Sequence, residues 1–104
     1  MTQKEFDKCI KDLDNLCNSI MKSKRPEYTN ENEDVLHNFK KTGDELNISP
    51  LKSCAVYLLK SFGSIISHIN NANLKKAEPI DSRIADSINY LRILKALFKE
   101  ERGV

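Results

Sequence analysis

Eight polar side chains in this sequence have the chemistry to bind a phosphorylated small molecule. Lysine and arginine bind phosphate, asparagine matches the edge of a base, and tyrosine offers an aromatic face. Most of them recur at three- or four-residue steps, which would place them along the flanks of helices. The candidates are Tyr28, Asn38, Lys60, Arg83, Asn89 and Tyr90 as ligand-binding residues, with Asp34 and Asp86 as metal ligands. The alternative is a buried polar network that fixes the register of the helices.

The two aspartates are candidates for magnesium, because this ion prefers carboxylate oxygens, often from facing helices. Asp34 and Asp86 fall next to apolar residues on predicted helices, near their inner edge. Asp81 precedes Asp86 by five residues, about 140° around a helix, so these two do not share a face. A capping or salt-bridge role is the alternative for both candidates. Magnesium is the one cofactor that the sequence suggests.

The sequence lacks the patterns of the common catalytic centres, and it identifies no catalytic residue. Its histidines, His37 and His68, belong to no nucleophile–base signature, and three glycines cannot build a phosphate-binding loop. Three cysteines without zinc-ligand spacing predict free thiols in a reducing, cytoplasmic compartment. A net charge of +2 argues against nucleic acid as a partner. No apolar run is long enough to span a membrane.

Apolar residues at helical spacing predict four helices and no strands. The first helix covers residues 2–23 and ends because Pro26 disfavours the helical conformation of the residue before it. The second covers residues 32–47. Within it, Gly43 either ends the helix as a left-handed cap or permits close packing.

The third helix is the most apolar, and we expect it at the centre of the core. It begins at Ser49 and Pro50, a capping hydroxyl followed by proline at the first helical position, and runs to about residue 71. A polar connection over residues 70–78 leads to a fourth helix that ends near residue 102, before Gly103. The sequence therefore predicts an all-α, four-helix bundle-like single domain over residues 1–104. Helices with wide apolar stripes in so short a chain favour a homo-oligomer.

Two stretches resemble small phage and prophage proteins described as MazG-like, or as nucleotide-modification-associated domains. The first runs Glu27-Tyr28-Thr29 and then Asp34-Val35-Leu36-His37-Asn38-Phe39-Lys40. The second is Arg83-Ile84-Ala85-Asp86-Ser87-Ile88-Asn89-Tyr90-Leu91, which is similar to their C-terminal Asp-x-x-Asn-Tyr helix. The resemblance covers roughly residues 25–101, marks 25–104 as the core, and leaves the helix within residues 1–24 outside.

The resemblance implies a fold related to the helical nucleoside-triphosphate pyrophosphatases, which hold Mg²⁺ with clustered acids. Their Glu-Glu-x-x-Glu helix has no match here, since the third helix reads Leu58-Leu59-Lys60-Ser61-Phe62. Two functions follow as hypotheses. One is a phage-type protein, in the host cytoplasm, that binds a nucleotide or a nucleotide-derived phosphorylated molecule, with Mg²⁺-dependent hydrolysis left open. The alternative is a non-enzymatic phage protein that inhibits a host or anti-phage defence factor.

Overall fold

A computed structural model describes residues 1–29, 32–71 and 79–104, and these residues form four helices and no strand. The helices are α1 (Gln3–Thr29), α2 (His37–Leu46), α3 (Pro50–Asn70) and α4 (Ile80–Arg102). The predicted all-α class and the number of helices are confirmed. Most of the predicted connection over residues 70–78 lies outside the described residues. In the described part of the chain, no helix is long and apolar enough to cross a membrane.

The four helices pack as a closed ring. Helix α1 lies beside α4 and α2, and α3 lies beside the same two helices. Side chains from α2, α3 and α4, with one residue that precedes α2, fill the space between them. The buried cluster consists of Leu36, Phe39, Leu51, Cys54, Ile93 and Leu97. The predicted bundle therefore has its core where α2, α3 and α4 converge.

Helix α1 ends six residues later than the sequence predicted, and Pro26 lies within it. Proline removes one main-chain hydrogen bond from a helix, and here the loss falls on the exposed last turns of α1. Beyond the proline, the Tyr28 ring packs against Phe39 of α2, 5.5 Å between centroids. Tertiary packing of Tyr28 thus outweighs the local preference of the residue before proline. The N-terminal half of α1 leaves Phe6 and Ile10 exposed.

Helix α2 begins five residues later than predicted and passes through Gly43, which is buried. Of the two roles open for this glycine, the structure supports close packing. A Cβ atom at Gly43 would lie 2.7 Å from the carbonyl oxygen of Ile48, closer than real contacts allow. The left-handed cap is Asn47 instead, with φ of 57°. Gly43 thereby permits the tight turn from α2 into α3.

Substitution of Gly43 by alanine should lower the free energy of unfolding by about 1–2 kcal/mol, because the added methyl group strains the backbone at Ile48. The same change at Gly63 is the matched control, since a Cβ there meets nothing within 4 Å. Alanine at Gly63 should raise the helix stability by about 1 kcal/mol. Urea unfolding at low protein concentration measures both changes. Equal effects at the two positions would contradict the packing role of Gly43.

Helix α3 starts as predicted but does not lie at the centre of the core. The Ser49 hydroxyl accepts a hydrogen bond from the main-chain nitrogen of Lys52 at 3.1 Å, and Pro50 follows at the first helical position. Only one side of α3 is buried, and large apolar residues such as Leu59 and Ile69 face away from the bundle. The expectation of a central α3 was therefore wrong. Its apolar residues form two surfaces, of which only one packs against other described residues.

Candidate ligand-binding site

One aromatic ring from each helix contributes to a continuous row near one side of the bundle. Tyr28 of α1 lies 5.5 Å from Phe39 of α2, with the rings tilted by 43°. Phe39 meets Tyr57 of α3 edge-on at 5.8 Å, and Tyr57 stacks on Tyr90 of α4 at 5.8 Å with 20° between planes. All three geometries fall in the range that aromatic pairs favour. The row marks the place where all four helices meet.

A cavity of about 220 Å³ opens beside these rings. The four aromatic residues line it together with three polar side chains from α1 and α2: Lys24, Glu27 and Asn38. Among the described residues, the Asn38 amide and the Glu27 carboxylate have no hydrogen-bond or ion-pair partner, and neither do the three tyrosine hydroxyls. The cavity thus combines flat apolar walls with polar groups that remain available to a ligand.

Helical spacing explains how these residues come together. Glu27 and Tyr28 follow Lys24 by three and four residues, so the continuation of α1 through Pro26 places all three on one side. Asn38 precedes the buried Phe39 in the first turn of α2. The lining residues of each helix lie close together along it. Packing of the four helices as a ring is therefore enough to bring all of them to one cavity.

The cation at the cavity is held in place by a carboxylate on α4. Lys24 Nζ lies 3.2 Å from Asp86 Oδ1, and the Asp86 side chain is only 11% exposed. An ion pair that joins α1 to α4 restricts where the lysine can reach. Asp86 therefore acts on the cavity through Lys24, since it does not itself line the cavity.

Burial keeps the two tyrosines nearest to this ion pair protonated far into the alkaline range. Loss of hydration raises the pKa of Tyr90 to about 12, and the nearby Asp86 carboxylate adds to the shift. Burial likewise raises the pKa of Tyr28, with Tyr90 as the next cause. Both hydroxyls are thus neutral hydrogen-bond donors at physiological pH.

The raised pKa of Tyr90 predicts a loss of stability in alkaline solution. The unfolded chain releases this proton near pH 10, whereas the folded chain holds it to about pH 12. The contribution is therefore complete below pH 10 and is lost as the pH rises through 12. Thermal unfolding from pH 9 to pH 12 should show a decline that is smaller in Tyr90→Phe. Identical declines in the two proteins would contradict the assignment.

Asp34, predicted as a metal ligand, lies before α2 and outside the lining of the cavity. Its Oδ1 accepts a hydrogen bond from the main-chain nitrogen of Leu36 at 2.9 Å, and Oδ2 pairs with Lys40 Nζ at 2.5 Å. Lys40 also bonds Glu100 of α4. The Lys40 ammonium, followed by the Leu36 N–H, lowers the pKa of the Asp34 carboxyl. Of the two alternatives for this aspartate, the structure shows the salt bridge, whereas α2 has no side-chain cap at its N-terminus.

Three further predicted ligand residues lie elsewhere. Asn89 is 1% exposed, and its Nδ2 donates to the carbonyl of Cys17 on α1 at 2.9 Å. The main-chain carbonyl of Arg83 accepts from the Ser61 hydroxyl at 3.1 Å, which ties α4 to α3. Lys60 is exposed on α3 and does not line the cavity. Of the eight candidates, the structure brings Tyr28, Asn38 and Tyr90 to the cavity, with Asp86 behind Lys24.

Sequence reasoning missed four residues of the site, namely Lys24, Glu27, Phe39 and Tyr57. Lys24 and Glu27 lie beyond the end predicted for the first helix. Their spacing from Tyr28 therefore did not predict a shared helix face. Tyr57 was outside the apolar stripe assigned to α3. A signal for it exists, because it follows the buried Cys54 by three residues and therefore borders the same face.

The two predicted carboxylates do not fit a magnesium site as they are arranged. Asp34 and Asp86 are each held by a lysine, and Asp34 is held by a main-chain nitrogen as well. Within residues 1–29, 32–71 and 79–104, no three histidine, cysteine, aspartate or glutamate side chains are grouped to hold a metal. Magnesium binding stays a prediction, and no chemical step is assigned to it.

No family model, no curated protein and no solved structure matches this chain. The resemblance to MazG-like phage proteins therefore stays a prediction.

Proposed function

We propose that this protein binds a nucleotide, or a phosphorylated molecule derived from one, in the cavity between its four helices. The observation that carries the proposal is the row of four aromatic rings, one from each helix, beside polar side chains of which Asn38 and Glu27 have no partner among the described residues. Flat walls with a few convergent polar groups are typical of small-molecule sites. Nucleotides combine the three features that these groups suit: a flat base, a polar base edge and a phosphate.

A base would stack on the tyrosine rings and hydrogen-bond at its edge. Stacking of a base on an aromatic side chain contributes about 1–3 kcal/mol and tolerates any base. Asn38 carries both a donor and an acceptor on its amide, which matches the paired donor and acceptor at a base edge. Glu27 accepts only, so it favours a base that presents an amino group at that side. The neutral hydroxyls of Tyr28 and Tyr90 add donors.

The phosphate would lie outside the cavity against Lys24. A volume of about 220 Å³ is below the ~300 Å³ at which pockets begin to enclose drug-sized ligands. One ring system therefore fits inside, while a charged phosphate remains near solvent. The Lys24 side chain is 33% exposed, so its ammonium can reach a phosphate without losing Asp86 as a neighbour. This arrangement favours recognition of the ligand over its hydrolysis.

A thermal-shift panel tests the proposal, with calorimetry for any nucleotide that stabilises the protein. The panel contains the four nucleosides, their mono-, di- and triphosphates, cyclic nucleotides and ADP-ribose, each with and without Mg²⁺. A ligand present at 100 times its Kd should add about 2.7 kcal/mol to the free energy of unfolding. We expect the phosphorylated forms to bind more tightly than the nucleoside, with little effect of Mg²⁺. No stabilisation by any member of the panel would refute the proposal.

Two variants connect the binding to this cavity. Tyr57→Ala removes a stacking ring and should weaken nucleotide and nucleoside alike. Lys24→Gln removes the cation and should weaken only the phosphorylated ligand. Asp34→Asn is the matched control, because this carboxylate lies outside the cavity and its loss should leave the Kd unchanged. Equal affinities in all four proteins would place the ligand elsewhere.

The second hypothesis, a phage protein that inhibits a host or defence factor, is favoured by the exposed N-terminal half of α1. Phe6 and Ile10 are solvent-exposed there, and a second cavity lies nearby between α1 and the start of α4. All three cysteines are free, which suits the cytoplasm that both hypotheses assume. A pull-down with Phe6→Glu as the control separates the two. A stoichiometric protein partner lost in that variant, without any nucleotide effect, would favour inhibition.

A further inference from the structure

Helix α3 presents an apolar face that packs against no other helix among the described residues. Five large residues on it are between 41% and 73% exposed: Val56, Leu59, Phe62, Ile66 and Ile69. Together they expose on the order of 400 Å² of apolar surface, and patches of this size on soluble proteins commonly mark interaction sites. These residues do not face the core of the bundle, because the buried residues Leu51, Cys54 and Ser61 lie on the opposite side of α3.

Exposed residues on this face follow the alternating four- and three-residue steps of a helix-pairing seam. The α3 seam consists of Lys52, Val56, Leu59, Gly63, Ile66 and Asn70, and every one of the six is exposed. Such spacing keeps one stripe facing a second helix over several turns. The seam therefore has the pattern of a contact between helices, although no helix among the described residues occupies it.

Gly63 is the second observation that points to a partner helix. Glycine inside a helix costs about 1 kcal/mol relative to alanine. No packing among the described residues requires it, since a Cβ atom at Gly63 would meet nothing within 4 Å. Absence of a side chain at a seam position leaves a gap that a large residue of another helix can fill. The outward side of α3 thus has a hollow at Gly63 and a protrusion at Leu59, one turn apart.

We propose that the α3 seam joins two copies of this chain as an antiparallel helix pair, with the two-fold axis at the level of Ser61. The seam is symmetric about that level. In this register Leu59 of one copy lies against Gly63 of the other, and Val56 lies against Ile66. Leu59 of each copy thus meets the hollow at Gly63 of the other, which is the reciprocal contact of an isologous interface. A second copy is the partner that this self-complementary pattern fits.

Interaction with the ends of the helix favours the same occupant. Helix α3 contains no acidic residue, and its seam has a lysine near one end and Asn70 at the other. In the antiparallel register, Lys52 of one copy faces the C-terminal carbonyls of the other helix, where a cation is favourable. The antiparallel pair also places the dipoles of the two α3 helices in opposite directions, which is favourable. The two faces would bury about 800–1,000 Å², at the lower end for specific interfaces, so we expect a dimer that dissociates on dilution.

The mass of the protein in solution tests the dimer, by light scattering coupled to size exclusion. We expect a dimer at about 100 µM and a monomer for Leu59→Glu at the same concentration, with the helical circular dichroism unchanged. Leu46→Glu is the matched control, because Leu46 is a similarly exposed leucine on α2, and it should remain dimeric. A monomeric wild type at about 100 µM, or a dimer that survives Leu59→Glu, would overturn the proposal.

Oxidative cross-linking tests the register, in a chain whose exposed Cys9 has been replaced by serine. Val56→Cys and Ile66→Cys chains mixed together should form a disulfide between them. Val56→Cys alone should not, because its two copies would be ten residues apart along the antiparallel pair, about 15 Å. A disulfide requires Cα atoms within about 7 Å. Cross-linking of Val56→Cys to itself would indicate a parallel pair and overturn the antiparallel arrangement.

Discussion

Phe39→Ala should lower the free energy of unfolding by about 3–5 kcal/mol, a large share of the stability of a domain this size. The Phe39 ring is 3% exposed and belongs to the buried cluster between α2, α3 and α4. It also touches Tyr28 and Tyr57, so it links the rings of three helices. Alanine would remove the buried area and leave a cavity that the surrounding helices can only partly fill.

Phe39→Leu is the matched control, because it retains a branched apolar side chain and removes only the aromatic contacts. We expect it to cost about 1–2 kcal/mol. Urea unfolding of both variants, with the slope of the transition as a check on two-state behaviour, gives the comparison. A loss below 1 kcal/mol in Phe39→Ala would show that Phe39 does not stabilise the row of rings. Other contacts would then have to hold the walls of the cavity in place.

Local signals in the sequence located the helices well wherever the local preference and the packing agree. Ser49 and Pro50 specify the start of α3, and Gly103 ends α4 in the left-handed conformation, with φ of 71°. Pro26 is the case in which they disagree. Its local preference ends a helix, but the contact between Tyr28 and Phe39 keeps the last turn of α1 helical. Only the neighbouring helix reveals this.

The site was harder to predict, because its composition depends on which helices become neighbours. Tyr28, Asn38 and Tyr90 could be identified by residue type and spacing. Lys24 could not, since its role depends on the distance to Asp86 across the contact between α1 and α4. Exposure along α3 was equally hidden from the sequence. An apolar stripe that packs inside the chain and one that faces outward have the same periodicity.

Polar residues on the inner side of α4 explain why structural and ligand-binding roles could not be separated from the sequence. Asp86, Ser87 and Asn89 are all buried. Ser87 shares a 2.6 Å hydrogen bond with Ser61 of α3, and Asn89 bonds α1, so α4 joins its neighbours through polar contacts as well as apolar ones. Buried residues that bond neighbouring helices and Tyr90, which lines the cavity, thus lie on the same helix.

Asn38 and Asn89 permit a test that separates the two roles with one substitution. Asn89→Ala should lower the free energy of unfolding by about 2–3 kcal/mol, because it removes the buried hydrogen bond to Cys17 and leaves a small cavity. Arg92 Nη1 also loses the Asn89 oxygen, at 3.3 Å. Asn38→Ala should change stability by less than about 0.5 kcal/mol, since its amide has no partner among the described residues.

Binding should show the opposite pattern in the same two proteins. Asn38 lines the cavity, so Asn38→Ala should weaken a bound nucleotide about tenfold, which corresponds to the loss of one hydrogen bond of about 1.4 kcal/mol. Asn89→Ala should bind with unchanged Kd at a temperature where it remains folded, because Asn89 does not line the cavity. Calorimetry and urea unfolding on both variants complete the comparison. If only Asn89→Ala weakened binding, the ligand site would depend on the buried Asn89 amide and on the contact between α1 and α4. The assignment of the site to the cavity would then be wrong.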